Sequence, residues 1–168
     1  GLQTANYHTL NKINRKHTLA EFIDSILLAK KYNVETGVHL ILNLPGDNMM
    51  DVKECAKVLS ALPIANVKLH ALYIRKNTEL ARRYQKGELE MIDLEKYIQR
   101  VITFLEYLNP EIAVQRLLGK APREKTLFVN WGYDYRKIHQ KIVKKMETRD
   151  TRQGRKFNYL GGKALRKF

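Results

Sequence analysis

Apolar and polar positions alternate along VHLILNLPGD, residues 38–47, and the rest of the chain can be laid out from this stretch. Val38, Leu40, Leu42 and Leu44 fall on one face and His39, Ile41 and Asn43 on the other, so a strand here has one wholly apolar side and one carrying two polar groups. Pro45 fixes its φ and Gly46 can take φ > 0, so the run ends in a sharp turn that presents backbone groups at the start of a helix. The polar side faces a lumen or crevice, or it belongs to a buried strand whose polar groups are satisfied locally. The alternation allows both.

Before this strand, Gly1 to Gln3 has the character of a strand end, and a short helical pattern with Leu10 and Ile13 follows. Thr18 with Glu21 forms a capping-box signature, and Leu19, Phe22, Ile23 and Ile26 recur at helical spacing up to about Tyr32-Asn33. After the turn, Asp47 or Asn48 can cap a helix whose stripe is Val52, Cys55, Ala56 and Leu59, which makes Cys55 a core residue. NVKLHALYI then alternates again, with Val67, Leu69, Ala71 and Tyr73 on one face and Lys68, His70 and Leu72 on the other. Strand, helix and strand fit within about 35 residues, the scale of a right-handed βαβ unit.

Downstream, RKNTELARRYQKGELEM predicts a turn and a short helix stopped at Gly87. A long helix follows from Asp93 to about Leu108, with Leu94, Tyr97, Ile98, Val101, Ile102 and Leu105 as its stripe, and Asn109-Pro110 ends it. IAVQRLL reads as a further strand, and KTLFVNW as irregular. A basic helix from about Asp134 to Glu147 is expected to bury Ile138, Ile142, Val143 and Met146. The predicted architecture is α/β, a parallel sheet covered by helices. Only about three strands are legible, too few for an independent parallel sheet, which suits half of a barrel over residues 1–118. A basic helical extension occupies 119–150, and 151–168 is expected to be a loosely ordered basic tail.

Charge changes this picture in one region. The 168 residues carry 31 Lys plus Arg against 17 Asp plus Glu, a balance of +14. Of this, +11 lies between Lys120 and Phe168. Such a surplus suits a polyanion such as RNA, with Arg136, Lys137, Lys141, Lys144 and Lys145 as phosphate contacts and Trp131, Tyr133 and Tyr135 as stacking candidates. Solvated charges and packed aromatics are the plainer account of the same residues. No apolar run reaches the length of a membrane span and no signal peptide opens the chain, so a cytoplasmic location is expected. The single cysteine excludes an internal disulfide and a cysteine-ligated cluster on this chain, and an opening Gly-Leu-Gln suggests a fragment or processed product.

The segments GLQ, INRKH, HLILNLPGD and VKLHALYIRKNTELA, in this order, resemble the C-terminal half of a radical S-adenosylmethionine protein. The resemblance is to the YhcC-like branch, related to the Elongator-type and oxygen-independent coproporphyrinogen oxidase groups, and it extends through QRLLGKAPREKTLFVNW and RDTRQG. It implies that residues 1–118 are the C-terminal half of a partial (β/α)6, TIM-like barrel, and that the protein is a 4Fe-4S enzyme that, given an electron donor, cleaves S-adenosylmethionine to a 5′-deoxyadenosyl radical and abstracts hydrogen from a substrate. It implies that Gln3 contacts the cofactor ribose and that Arg15, twelve residues on, pairs with the methionine carboxylate. A second ribose contact, a carboxylate in the oxidase group, is His39 here. Asn43 and Gly46 would lie beside the cofactor, and the segment from Lys68 to Tyr73, with His70, would frame the adenine. The cluster's three cysteines belong to the N-terminal half of such proteins, so this piece alone is expected to be inert. The alternative is a basic RNA-binding module without catalysis on this chain.

Overall fold

The computed structural model describes residues 1–120, 122 and 124–157. Three parallel strands, β1 (Gly37–Ile41), β2 (Asn66–His70) and β4 (Ala113–Arg116), form a sheet in the order β1-β2-β4. Gln3 extends it on the far side of β1 through a parallel bridge to Leu40, with Gln3 N–H donating to His39 O at 3.0 Å and Ile41 N–H donating to Gln3 O at 2.9 Å. The short stretch before α1 (Tyr7–Lys12) is therefore the strand end that its sequence suggests.

α2 (Leu19–Lys31) starts at the Thr18/Glu21 capping box. Of the two candidate caps for α3 (Met49–Ala61), Asn48 does the capping, and Asp51 reaches back to the Asn48 N–H. The apolar faces of β1 and β2, Val38, Leu40, Val67 and Leu69, are completely buried. α3 and α5 (Leu94–Tyr107) pack together over the core, which includes Leu59, Tyr97 and Phe104. No helix among the described residues is long and apolar enough to cross a membrane.

α5 departs from its predicted single stripe, because every residue from Arg100 to Glu106 is buried. Arg100 is covered by the turn after β1 and Glu106 by residues 151–156, and α6 (Tyr135–Thr148), whose Ile138 and Ile142 are fully buried, also packs against α5. Met146 is half-buried, whereas Val143, expected in the core, is 37% exposed because it sits one residue past the stripe on a 3.6-residue period. The extension thus shares the main core with the first 118 residues.

Two further predictions need correction. KTLFVNW contains a strand, β5 (Thr126–Phe128), which pairs antiparallel with β3 (Ile74–Arg75). These two strands and α4 (Glu79–Gln85) surround a small separate cluster of Ile74, Ala81 and Leu89. The expected loose tail is, over residues 151–157, tied to the end of α5. Gly154 N–H donates to Leu105 O and Lys156 N–H to Glu106 O, which satisfies carbonyls that a helix C-terminus leaves open. Gln153 Nε2 donates to Asn109 O and Ile112 O, while Thr151 Oγ1 and Lys156 Nζ both reach the Glu106 carboxylate. The remainder of the predicted tail, 158–168, lies outside the described residues.

Candidate functional site

The C-terminal ends of β1 and β2 are locked together by a buried amide. Asn43 Oδ1 accepts the Leu72 N–H at 2.6 Å, and Leu42 N–H donates to His70 O at 3.2 Å. Asn43 Nδ2 is buried without a partner among the described residues. The turn that follows takes the predicted positive φ at Gly46, +101°, where a side chain would also meet Thr9 Oγ1 at 3.2 Å.

The turn is fixed from below by Arg100, a residue that the sequence reading assigned no role. It sits on α5, is 8% exposed, and donates from Nη1 to Leu42 O at 2.9 Å and from Nη2 to Asp47 O at 2.5 Å. Burial pushes the Asp47 carboxyl up, against the hydroxyls of Thr9 and Thr4 and the charge of Arg100. A cavity of about 470 Å³ opens beside these strand ends. It is lined by Ile41, Leu44, Pro45 and Leu72 from the strand ends, Asn14 after α1 and Arg83 on α4. In the sequence Leu72 reads as a strand position and Arg83 as part of a short helix, and neither carries a motif that marks a cavity.

A second constellation gathers Gln3, Arg15 and His39. Arg15 Nη2 donates to the Gly1 carbonyl at 2.8 Å and Gln3 Nε2 donates to the same oxygen at 3.3 Å. A Cβ added to Gly1 would stand 2.9 Å from Gln3 Nε2 and 3.0 Å from His39 Cβ, so the glycine keeps a space that these side chains share. Arg15 Nε is buried without a partner among the described residues. His39 is joined to His70, Nδ1 to Nε2 at 3.1 Å, with Arg116 Nη2 2.7 Å from the same His70 nitrogen. Tyr73 makes no hydrogen bond or ring contact with any of these groups; it is 38% exposed, because β2 stops at His70 and its alternation is not continued. The predicted residues therefore form two groups, one around Gly1 and one at the strand ends, with Tyr73 in neither.

The five basic residues of α6 are used unevenly. Arg136 pairs with Asp134 and Lys145 with Glu95, while Lys141 lies over the Tyr133 ring and Lys137 and Lys144 are exposed. Trp131 is a packing residue: its Nε1 donates to Ile92 O and its ring packs against Tyr97 and Phe128. Tyr135 likewise packs on the main core.

Residues 64–148 match the model of the radical SAM C-terminal domain, and residues 1–59 match that of the radical SAM superfamily. The chain belongs to the radical SAM superfamily. Among its curated relatives, an uncharacterised protein of Methanocaldococcus jannaschii is 35% identical over 94% of this chain and 49% of its own length. YhcC of Escherichia coli is 30% identical over 78% of this chain and 42% of its own length, in keeping with a YhcC-like radical SAM protein. The chain spans about half the length of the curated relatives it matches. A solved structure of Elp3 from the archaeon Methanocaldococcus infernus, truncated at its N-terminus, superposes with a TM-score of 0.77 over 91% of this chain and 36% of that one, at 19% identity, which establishes the shared fold.

Radical SAM proteins imply two groups, S-adenosylmethionine and a 4Fe-4S cluster. The donor set around Gly1 suits the first. A guanidinium with a buried, unpartnered Nε, an amide and an imidazole share a space kept open by a glycine, and such donors recognise a carboxylate and hydroxyls. The cluster does not fit on this chain. Cys55 is 3% exposed, its Sγ accepts the Ala5 N–H at 3.2 Å, and burial pushes its thiol up to about 12. Among the described residues, no three His, Cys, Asp or Glu side chains are grouped to hold a metal.

Proposed function

We propose that this chain is the S-adenosylmethionine-binding portion of a radical SAM enzyme, acting with cluster-bearing cysteines elsewhere in the protein. The observation that supports it is the convergence of Gln3 and Arg15 on one oxygen beside His39. When bound and reduced by one electron from an outside donor, the cofactor supplies radical chemistry. The residues of this chain orient it. Arg15 presents its fork to the methionine carboxylate, Gln3 and His39 hydrogen-bond the ribose, and the 470 Å³ cavity behind Ile41 and Leu72 receives the flat aromatic adenine. His39 brings no negative charge to the ribose, so its share of the binding is that of a neutral hydrogen-bonding group.

Arg15→Ala in the intact protein is expected to weaken S-adenosylmethionine binding about 10-fold to 100-fold, the range for losing one or two charge-assisted hydrogen bonds, with Arg15→Lys intermediate. Calorimetric titration with the cofactor checks it. An unchanged affinity in a folded Arg15→Ala variant removes Arg15 from the site.

A further inference from the structure

On the face of the sheet opposite α3 and α5, the strand register sets three side chains in a row. His39 of β1 pairs with Lys68 of β2, and Lys68 pairs with Arg116 of β4. His70 lies one step further along β2, in contact with both ends of the row: its Nε2 is 3.1 Å from His39 Nδ1 and 2.7 Å from Arg116 Nη2. Arg116 reaches this face because the register slips by one residue between Val67 and Lys68, so that Arg116 stands opposite Lys68 where Gln115 would otherwise be.

A guanidinium only donates, so His70 Nε2 accepts from Arg116 at 2.7 Å and the His70 ring is neutral. The permanent charge of the row is carried by Lys68 and Arg116. No ion pair among the described residues involves either of them. The two cations are thus carried on adjacent strands, whose backbones lie about 5 Å apart.

The side-chain charges that act on the rings are positive. Burial first, then Arg116 and Lys68, hold His70 down to about 4; burial, then Lys68 and Arg116, hold His39 below its usual value. Two cations on neighbouring strands with no carboxylate beside them make a receptor for negative charge.

We propose that Lys68 and Arg116, in the row beside His39 and His70, bind an oxyanion, a carboxylate or phosphate group of the substrate. That the anion belongs to the substrate rests on the radical-enzyme reading above; that the row binds one does not.

The test follows the imidazole signals of the intact protein by 1H–15N NMR while inorganic phosphate or acetate is added at constant ionic strength. Saturable movement of the His39 and His70 signals is expected, with the His70 pKa rising from about 4 because the anion offsets Lys68 and Arg116. Arg116→Gln and Lys68→Gln should each weaken the apparent affinity about tenfold, and Lys68→Arg should retain it. Phosphate moving the rings more than acetate assigns a phosphorylated substrate, and the reverse a carboxylated one. Rings unmoved by either anion, or an affinity unchanged in Arg116→Gln, overturn the proposal. Complete competition by L-methionine overturns its substrate assignment, because the row would then be the cofactor's carboxylate site. Failure of the cofactor reading shows separately, as Arg15→Ala keeping its affinity for S-adenosylmethionine.

Discussion

Arg100→Ala is expected to destabilise the protein by about 3 kcal/mol and to weaken cofactor binding with it. The guanidinium is buried and spans from α5 to the turn after β1, where it hydrogen-bonds the carbonyls of both Leu42 and Asp47. Alanine leaves both carbonyls without this donor, at about 1–3 kcal/mol for a buried unsatisfied group, and opens a cavity in the core. It also leaves the Asp47 carboxyl, already pushed up by burial, without the cation that opposes that push. Lysine does not restore the pair, since one ammonium lacks the planar fork that reaches two carbonyls. Urea unfolding of the variant measures the loss. A change below about 0.5 kcal/mol would mean that the Leu44-Pro45-Gly46 turn holds its shape without help from α5.

Ile142→Ala should cost about 2–4 kcal/mol, the ordinary range for truncating a fully buried isoleucine to alanine. The larger point lies in the shape of the transition. α6 contributes Ile138 and Ile142 to the same core as the β1–β2 faces, and residues 151–157 return to cap α5, so extension and sheet unfold together. One cooperative transition, moved to lower denaturant in Ile142→Ala, is expected by both circular dichroism and Trp131 fluorescence. Two transitions, with only the first moved, would show that residues 119–150 fold as a unit of their own.

The alternation around His39 and Lys68 and the stripes of α2, α3 and α5 were readable because each element is regular and its partners differ little from those of any βα repeat. Thr18 with Glu21 was readable because a capping box is local. What escaped depends on partners distant in the chain. β5 is three residues long and exists through pairing with β3, some fifty residues earlier. The 151–157 segment is polar and aperiodic, yet its backbone donors match carbonyls at the end of α5. Arg116 lies on the sheet face that simple alternation would deny it, because of one register slip, and Arg100 looks like a solvated position on an amphipathic helix until the turn after β1 packs on that side. Of the candidate site, Gln3 and Arg15 were named through the family resemblance, whereas the cavity beside Leu72 and Arg83 is formed where strand ends, α4 and the residues after α1 meet, with no sequence signature of its own.

The structure of the intact protein with S-adenosylmethionine bound decides whether this chain holds the cofactor. Arg15 is expected to turn from the Gly1 carbonyl to the cofactor carboxylate, Gln3 and His39 to lie against the ribose, and the adenine to fill the space beside Ile41 and Leu72. A bound cofactor that leaves Arg15 on Gly1 and touches neither Gln3 nor His39 would contradict this placement.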